Sequence, residues 1–159
     1  MFILSPLIYL NELNDFIDNR LHSYESLRNY DLGEDNHQNV SLLSPYIRHR
    51  LITEQEVISA ALDKFPLPKI EKFIQEVLWR TYWKGWLELR PKVWTDFVED
   101  LKNIENANEY KKAINGETNI DCFNDWVKEL KENHYLHNHT RMWFASIWVF
   151  TLKLPWQKG

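Results

Sequence analysis

The stretch KIEKFIQEVLWRTYWKGWLEL, residues 69–89, decides the fold class. It is the strongest helical pattern in the chain. Within it Glu76, Trp79, Arg80 and Trp83 are spaced by three, four and seven positions, which places them along one helical face. Upstream, Phe65-Pro66-Leu67-Pro68 breaks a preceding helix. That helix starts at Thr53-Glu54-Gln55-Glu56, a capping-box pattern, and runs to about Lys64. Ser44-Pro45 reads as another helix start, with Ser44 as cap and Pro45 in the first turn. Residues 28–40, RNYDLGEDNHQNV, read as a loop. Pro6 to His22 carries Leu7, Leu10, Leu13, Phe16, Ile17 and Leu21 at helical spacing.

Downstream the pattern continues. A short helix is predicted after Pro91, through Trp94 to Leu101, and residues 103–115 are polar and weakly helical. Asn119 to Asn133 is helical with Phe123, Trp126, Val127 and Leu130 on one face; Arg141 to Lys153 is an apolar helix stopped by Pro155. No strand pattern, repeat or low-complexity run competes. The expectation is an all-α chain forming a single domain over residues 1–159.

Composition agrees. Four glycines and six prolines in 159 residues favour long helices over turn-rich β structure. Eight Trp, seven Tyr and eight Phe are many for this length. The net charge of −4 argues against a broadly basic surface, so a nucleic-acid partner would need a local patch. Cys122 is alone, which excludes an internal disulfide and fits a reducing, cytoplasmic setting. Met1 to Leu10 is apolar but lacks a basic n-region, so it does not read as a signal peptide, and no run is long and apolar enough for a membrane span.

Three clusters could carry chemistry. In EVLWRTYW, residues 76–83, packing alone would turn the Trp stripe into the core and pair Glu76 with Arg80 across one turn. A functional reading makes the same face a cavity wall, with Trp stacking on a flat ring and Glu and Arg bonding its polar edges. In LHNHTRMW, His137, Asn138, His139, Arg141 and Met142 crowd a helix start. Two His at i and i+2 are not a helical metal pair, so the expectation is no metal; the choice lies between capping and an anion or ligand site. In VSLLSPY, residues 40–46, hydroxyls and free backbone N–H groups can hold phosphate, as at many helix starts.

Taken in order, these segments resemble the FAD-binding domain of the DNA photolyase/cryptochrome family. SLLSPYIRHRLI resembles the family's S-x-L-S-P-Y-L-x-x-G-x-I, and EVLWRTYW its E-L-x-W-R-E-F-Y helix. From Gly116 to Gly159, GETNIDCFNDWVKELKENHYLHNHTRMWFASIWVFTLKLPWQKG keeps the family spacing without a gap. The resemblance implies a multi-helical domain around FAD. Tyr24, Val40, Ser41, Leu42, Leu43, Ser44, Arg80 and Arg141 match cofactor-binding positions. Glu76, Trp79 and Met142 match residues beside the lesion pocket, while Trp94 and Trp156 match outer and middle members of an electron-transferring tryptophan chain. Glu76, Trp79, Arg80, Trp83, Asn138 and His139 match DNA-contacting positions. The implied activity is that of a photolyase-type lyase: light-excited reduced flavin passes an electron to a pyrimidine dimer flipped out of damaged DNA, and the dimer splits.

Departures are local. A family Arg of the phosphate loop is Leu42, the Glu of W-R-E-F-Y is Thr81, and the Arg of H-N-R is His139. Asp121 and Asn124 replace a family Pro and Asp, and Pro155 the Asp before the final Trp. Relative to the family, the chain reads as lacking an α/β antenna domain and as truncated beyond Gly159, where a separate chain is one candidate to complete the flavin pocket. Three functions therefore stay open: dimer repair, blue-light sensing without repair, and a remnant that binds no flavin.

Overall fold

The structure, a computed structural model, describes residues 6–33, 36–104 and 108–159, with side chains from Ile8 onward. The side chain of Leu7, an expected core position, lies outside the described side chains. No strand forms among the described residues, so the all-α expectation holds. Contacts divide the chain into two compact units: residues up to 30 with 36–86, and residues 31–33 with 87–159.

The first unit opens with α1 (Pro6–Asp15). A π-helical turn over Phe16–Arg20 continues it, closed by the Leu21 N–H on the Phe16 carbonyl. Leu13, Phe16, Ile17 and Leu21 all enter the core, while Leu10, expected on the same face, is exposed. After α2 (Tyr24–Leu27) the Asn39 side chain donates to the carbonyls of Leu27 (2.8 Å) and Tyr30 (2.6 Å), tying the loop to the helix end. Arg20 holds the far side of that loop through the Val40 carbonyl at 3.2 Å.

Before α3 (Ser44–Arg48), Leu42 takes φ +55°, a left-handed conformation costly for a branched side chain. The turn sends Leu43 into the core and shifts the helix start. Leu43, not Ser44, occupies the N-cap position, and no side-chain cap bond forms there.

Helix α4 (Glu54–Lys64) starts as predicted. Thr53 Oγ1 accepts the Glu56 N–H at 3.2 Å, and the Glu56 carboxylate accepts the Thr53 N–H at 2.8 Å. These bonds hold the Glu56 carboxyl below the usual carboxylate range. Helix α5 (Leu67–Glu88) buries Ile70, Phe73, Ile74 and Val77 against α1 and α4 residues. Beyond Val77 none of its side chains is buried.

The second unit holds α6 (Pro91–Asn103), α7 (Asn108–Asn115), α8 (Asp121–Asn133) and α9 (Asn138–Ser146). A π-helical turn, Ile147–Thr151, follows α9. Its core joins Ala113, Phe123, Val127, Trp148 and Leu154. Phe144 stacks on Phe123 (ring centres 4.5 Å apart) and on Trp148 (6.2 Å). Gly116 turns the chain after α7 at φ +71°, where a Cβ would come within 3.1 Å of the Asn124 carbonyl oxygen. Thr118 and Asn124 then close on each other through three hydrogen bonds of 2.7–2.9 Å. On α8, Phe123 and Val127 are buried and Trp126 half-buried as expected, but Leu130 is exposed. Helix α9 begins three residues before the predicted Arg141, because His137 caps it: Nδ1 accepts the His139 N–H at 3.2 Å.

Candidate functional site

In the first unit, Tyr24, Ser41, Ser44, Glu76 and Arg80 line one cleft of about 160 Å³, with Ile47, Phe73 and Val77 as its apolar floor. Four of these come from the two segments that sequence analysis linked, and Tyr24 arrives from α2. The Tyr24 ring stands edge-on to Phe16 and Phe73, at 5.9 and 5.4 Å between centres. Burial pushes its phenol pKa up, and a hydrogen bond from Arg28 offsets part of that rise.

The pairing of Glu76 with Arg80 expected from helical spacing does not form. Glu76 Oε1 instead meets Arg28 Nη1 at 2.5 Å. Arg80 Nε lies 3.5 Å from Glu54 Oε1, and the other Glu54 oxygen accepts from Arg50 at 2.7 Å. Arg80 Nε is sealed from water and donates no hydrogen bond. Neighbours on other elements outcompete the i, i+4 partner because they sit nearer the carboxylate once the core closes. Burial works against the Arg28 charge, but its bonds to Glu76 and Tyr24 outweigh this and hold the guanidinium firmly protonated. Sequence analysis passed over Arg28, which lay within a segment read only as loop.

Of the other expected cofactor residues in this unit, Val40, Leu42 and Leu43 do not line the cleft. Val40 and Leu43 are core side chains. Trp79 and Trp83 are 48% and 51% exposed and stack on each other at 6.3 Å, with Tyr82 edge-on to both. The reading of these Trp as a stripe packed into the core is therefore wrong for this chain.

In the second unit, Arg141 rims an apolar cavity of about 440 Å³ lined by Phe144, Trp148, Val149 and Trp156, among others. Its Nε donates to the Leu136 carbonyl at 2.9 Å, and its guanidinium lies over the Tyr135 ring. Met142 and Asn138 are exposed and do not line that cavity, and His139 is turned edge-on to Trp143 at 5.5 Å. Trp94 and Trp156 each touch Phe97 at 5.6 Å between ring centres, so a phenyl ring stands between the two indoles. Sequence analysis did not single out Phe97, although its spacing of three from Trp94 on a helix signals the contact.

The residues can be tested against FAD. The first unit's cleft offers serine hydroxyls, a phenol and an arginine, a donor set suited to phosphate or polyol oxygens. Its volume is below the roughly 300–1,000 Å³ of pockets that enclose drug-sized ligands, so it fits a segment of a dinucleotide rather than the whole. The second unit's cavity has the volume and apolar lining for a flat ring. No group of three or more His, Cys, Asp or Glu side chains is placed to hold a metal among the described residues. No helix among them is long and apolar enough to cross a membrane.

No protein-family model matches the chain. Individual relatives do. It is 27% identical over 157 residues to the deoxyribodipyrimidine photo-lyase of Agrobacterium fabrum (strain C58), covering 94% of this chain and 32% of that protein. The enzyme of the same name from Escherichia coli K12 is 26% identical, with 93% and 32% covered. That of Neurospora crassa is 26% identical, with 94% and 26% covered. The chain thus spans about a third or less of the length of the curated relatives it matches. With matches over nearly its whole length and an all-α architecture, the chain is a homologue of part of the deoxyribodipyrimidine photo-lyases.

Proposed function

We propose that the chain is part of an FAD-binding domain that repairs pyrimidine dimers in DNA under light. The observation that carries this reading is the first unit's cleft. Five residues matched to functional family positions, drawn from α2, α3, α5 and the loop before α3, converge on one small polar hollow. Bound flavin would supply the light-driven electron transfer. The chain's own residues have separable tasks. Ser41, Ser44 and Arg80 would hold cofactor oxygens, and the backbone at Val40, Leu42 and Leu43 would shape the loop that presents them. Within the second unit, Arg141 would rim a cavity suited to a flat ring. Trp79 and Trp83 present half their surface to solvent, and Trp faces stack on bases for about 1–3 kcal/mol each. A dimer stacks poorly in the duplex, so turning it out toward such a surface costs less than turning out a normal base. Trp94, Phe97 and Trp156 would pass electrons toward the ring.

The test is direct. The purified protein is loaded with FAD and given a dimer-containing oligonucleotide under blue light. The reading expects loss of the dimer in the light and none in the dark. Flavin binding without repair would favour blue-light sensing. That second reading draws on His139, which packs against Trp143 where the family carries a permanently charged Arg for DNA. A protein that cannot be loaded would sink both.

A further inference from the structure

The geometry points to Arg28 as the positioning residue of the first unit's cleft: it neutralises and aims Glu76 so that an anionic cofactor can lie beside a carboxylate, and it turns the Tyr24 hydroxyl into a donor toward that cofactor. This deepens the reading of the cleft as a cofactor site and rests on it.

Arg28 is not among the residues lining the cleft, yet it grips two that are. One arm meets Glu76 Oε1 at 2.5 Å. The guanidinium also lies 5.9 Å from the centre of the Tyr24 ring, near enough to hold down the phenol's pKa. The backbone beneath is fixed: the Arg28 N–H donates to the Tyr24 carbonyl at 2.9 Å, and Asn39 holds the carbonyls of Leu27 and Tyr30 on either side. Tyr24 itself is wedged between Phe16 and Phe73.

Two consequences follow from the chemistry of these groups. Guanidinium only donates, so toward Arg28 the phenol oxygen can only accept and the phenol's own hydrogen stays available. Glu76 faces the cleft as a carboxylate two-thirds removed from solvent, and a bare negative charge there would repel a diphosphate. Arg28 cancels that charge from behind. A planar fork can serve both partners at once where a lysine ammonium serves them less well.

The experiment compares FAD with riboflavin, which lacks the phosphates, on the wild type, Arg28→Met, Arg28→Lys, Glu76→Gln and the double variant Arg28→Met/Glu76→Gln. Arg28→Met is expected to weaken FAD binding at least tenfold and riboflavin binding far less, with the FAD loss shrinking as salt rises. Adding Glu76→Gln should restore most of the FAD affinity, and Arg28→Lys should fall between wild type and Arg28→Met. Equal losses for the two ligands, or no restoration by Glu76→Gln, would overturn the proposal. If Arg28→Met does not fold, Arg28→Lys decides: FAD affinity unchanged from wild type overturns it.

A ligand-free readout separates this proposal from the cofactor reading. With fluorotyrosine incorporated and the Tyr24 resonance assigned by Tyr24→Phe, Arg28→Met or Arg28→Lys should shift that resonance and move its titration further up in pH. If the wild type binds neither ligand, the cofactor reading fails. The positioning of Tyr24 by Arg28 then stands on a shifted resonance and falls on an unshifted one.

Discussion

The two halves of α5 are both rich in large apolar and aromatic side chains and meet opposite fates. From Ile70 to Val77 the helix buries Ile70, Phe73, Ile74 and Val77 and closes the first unit's core. From Leu78 to Leu87 it leaves Leu78, Trp79, Tyr82, Trp83 and Leu87 exposed, with the rings of Trp79, Tyr82, Trp83 and Trp86 touching one another along the surface. Helical periodicity is blind to this difference, because it reports which residues share a face and not what the face meets. Glu76 and Arg80 sit at the changeover, and both line the cleft. One helix therefore supplies the fold with its first half and an exposed aromatic surface with its second, with the polar cleft at the junction.

The comparison can be broken by substitution in either half. Ile70→Ala removes a side chain that is 2% exposed and should cost about 2–5 kcal/mol of stability, read by denaturant unfolding. Trp79→Ala should change stability far less. It should weaken binding to dimer-containing DNA by about 1–3 kcal/mol while leaving FAD binding near the wild-type value. Equal loss of both ligands, or unfolding, would mean that Trp79 serves the core after all. Arg80→Met should lower FAD affinity several-fold without changing unfolding by as much as Ile70→Ala, since its Nε lacks a hydrogen-bond partner in the folded chain.

The smallest expected effect lies on α4, in the core half's own support. Thr53→Ala breaks the capping box and should cost about 1 kcal/mol. It also carries a pH signature. The Glu56 carboxyl titrates lower in the folded chain than in the unfolded one, because the Thr53 N–H and hydroxyl bond its charged form. Its stabilisation is therefore present above the unfolded-state pKa and lost as pH falls through the folded-state value. A wild type that loses more stability on acidification than Thr53→Ala supports this; parallel acid curves would contradict it.

What could be read from the sequence was what local chemistry determines. The capping box at Thr53, the break at Phe65-Pro66 and the extent of α5 depend on residues within a turn or two of each other, and all are found where expected. The errors share a cause as well. Ser44 is displaced from the cap by a left-handed turn at Leu42, a residue whose type gives no warning of one. Leu10 and Leu130 obey the helical period and are exposed, because the period tells which residues share a face and not what covers it. Glu76 and Arg80 find Arg28 and Glu54, partners 48 and 26 positions away, which spacing cannot reveal. For the candidate site, resemblance supplied five cleft residues, while the side chain that organises two of them lay unnoticed in a polar loop.

The central claim is that the cleft at the changeover of α5 holds part of an FAD molecule. The measurement that tests it most directly is the visible absorption of the protein after incubation with FAD and removal of free cofactor, for the wild type beside Arg80→Met and Ser41→Ala/Ser44→Ala. A yellow wild type with the oxidised-flavin band, reduced in both variants while their folding is unchanged, is the predicted result. A wild type that stays colourless, or variants that retain flavin as well as the wild type does, would contradict it.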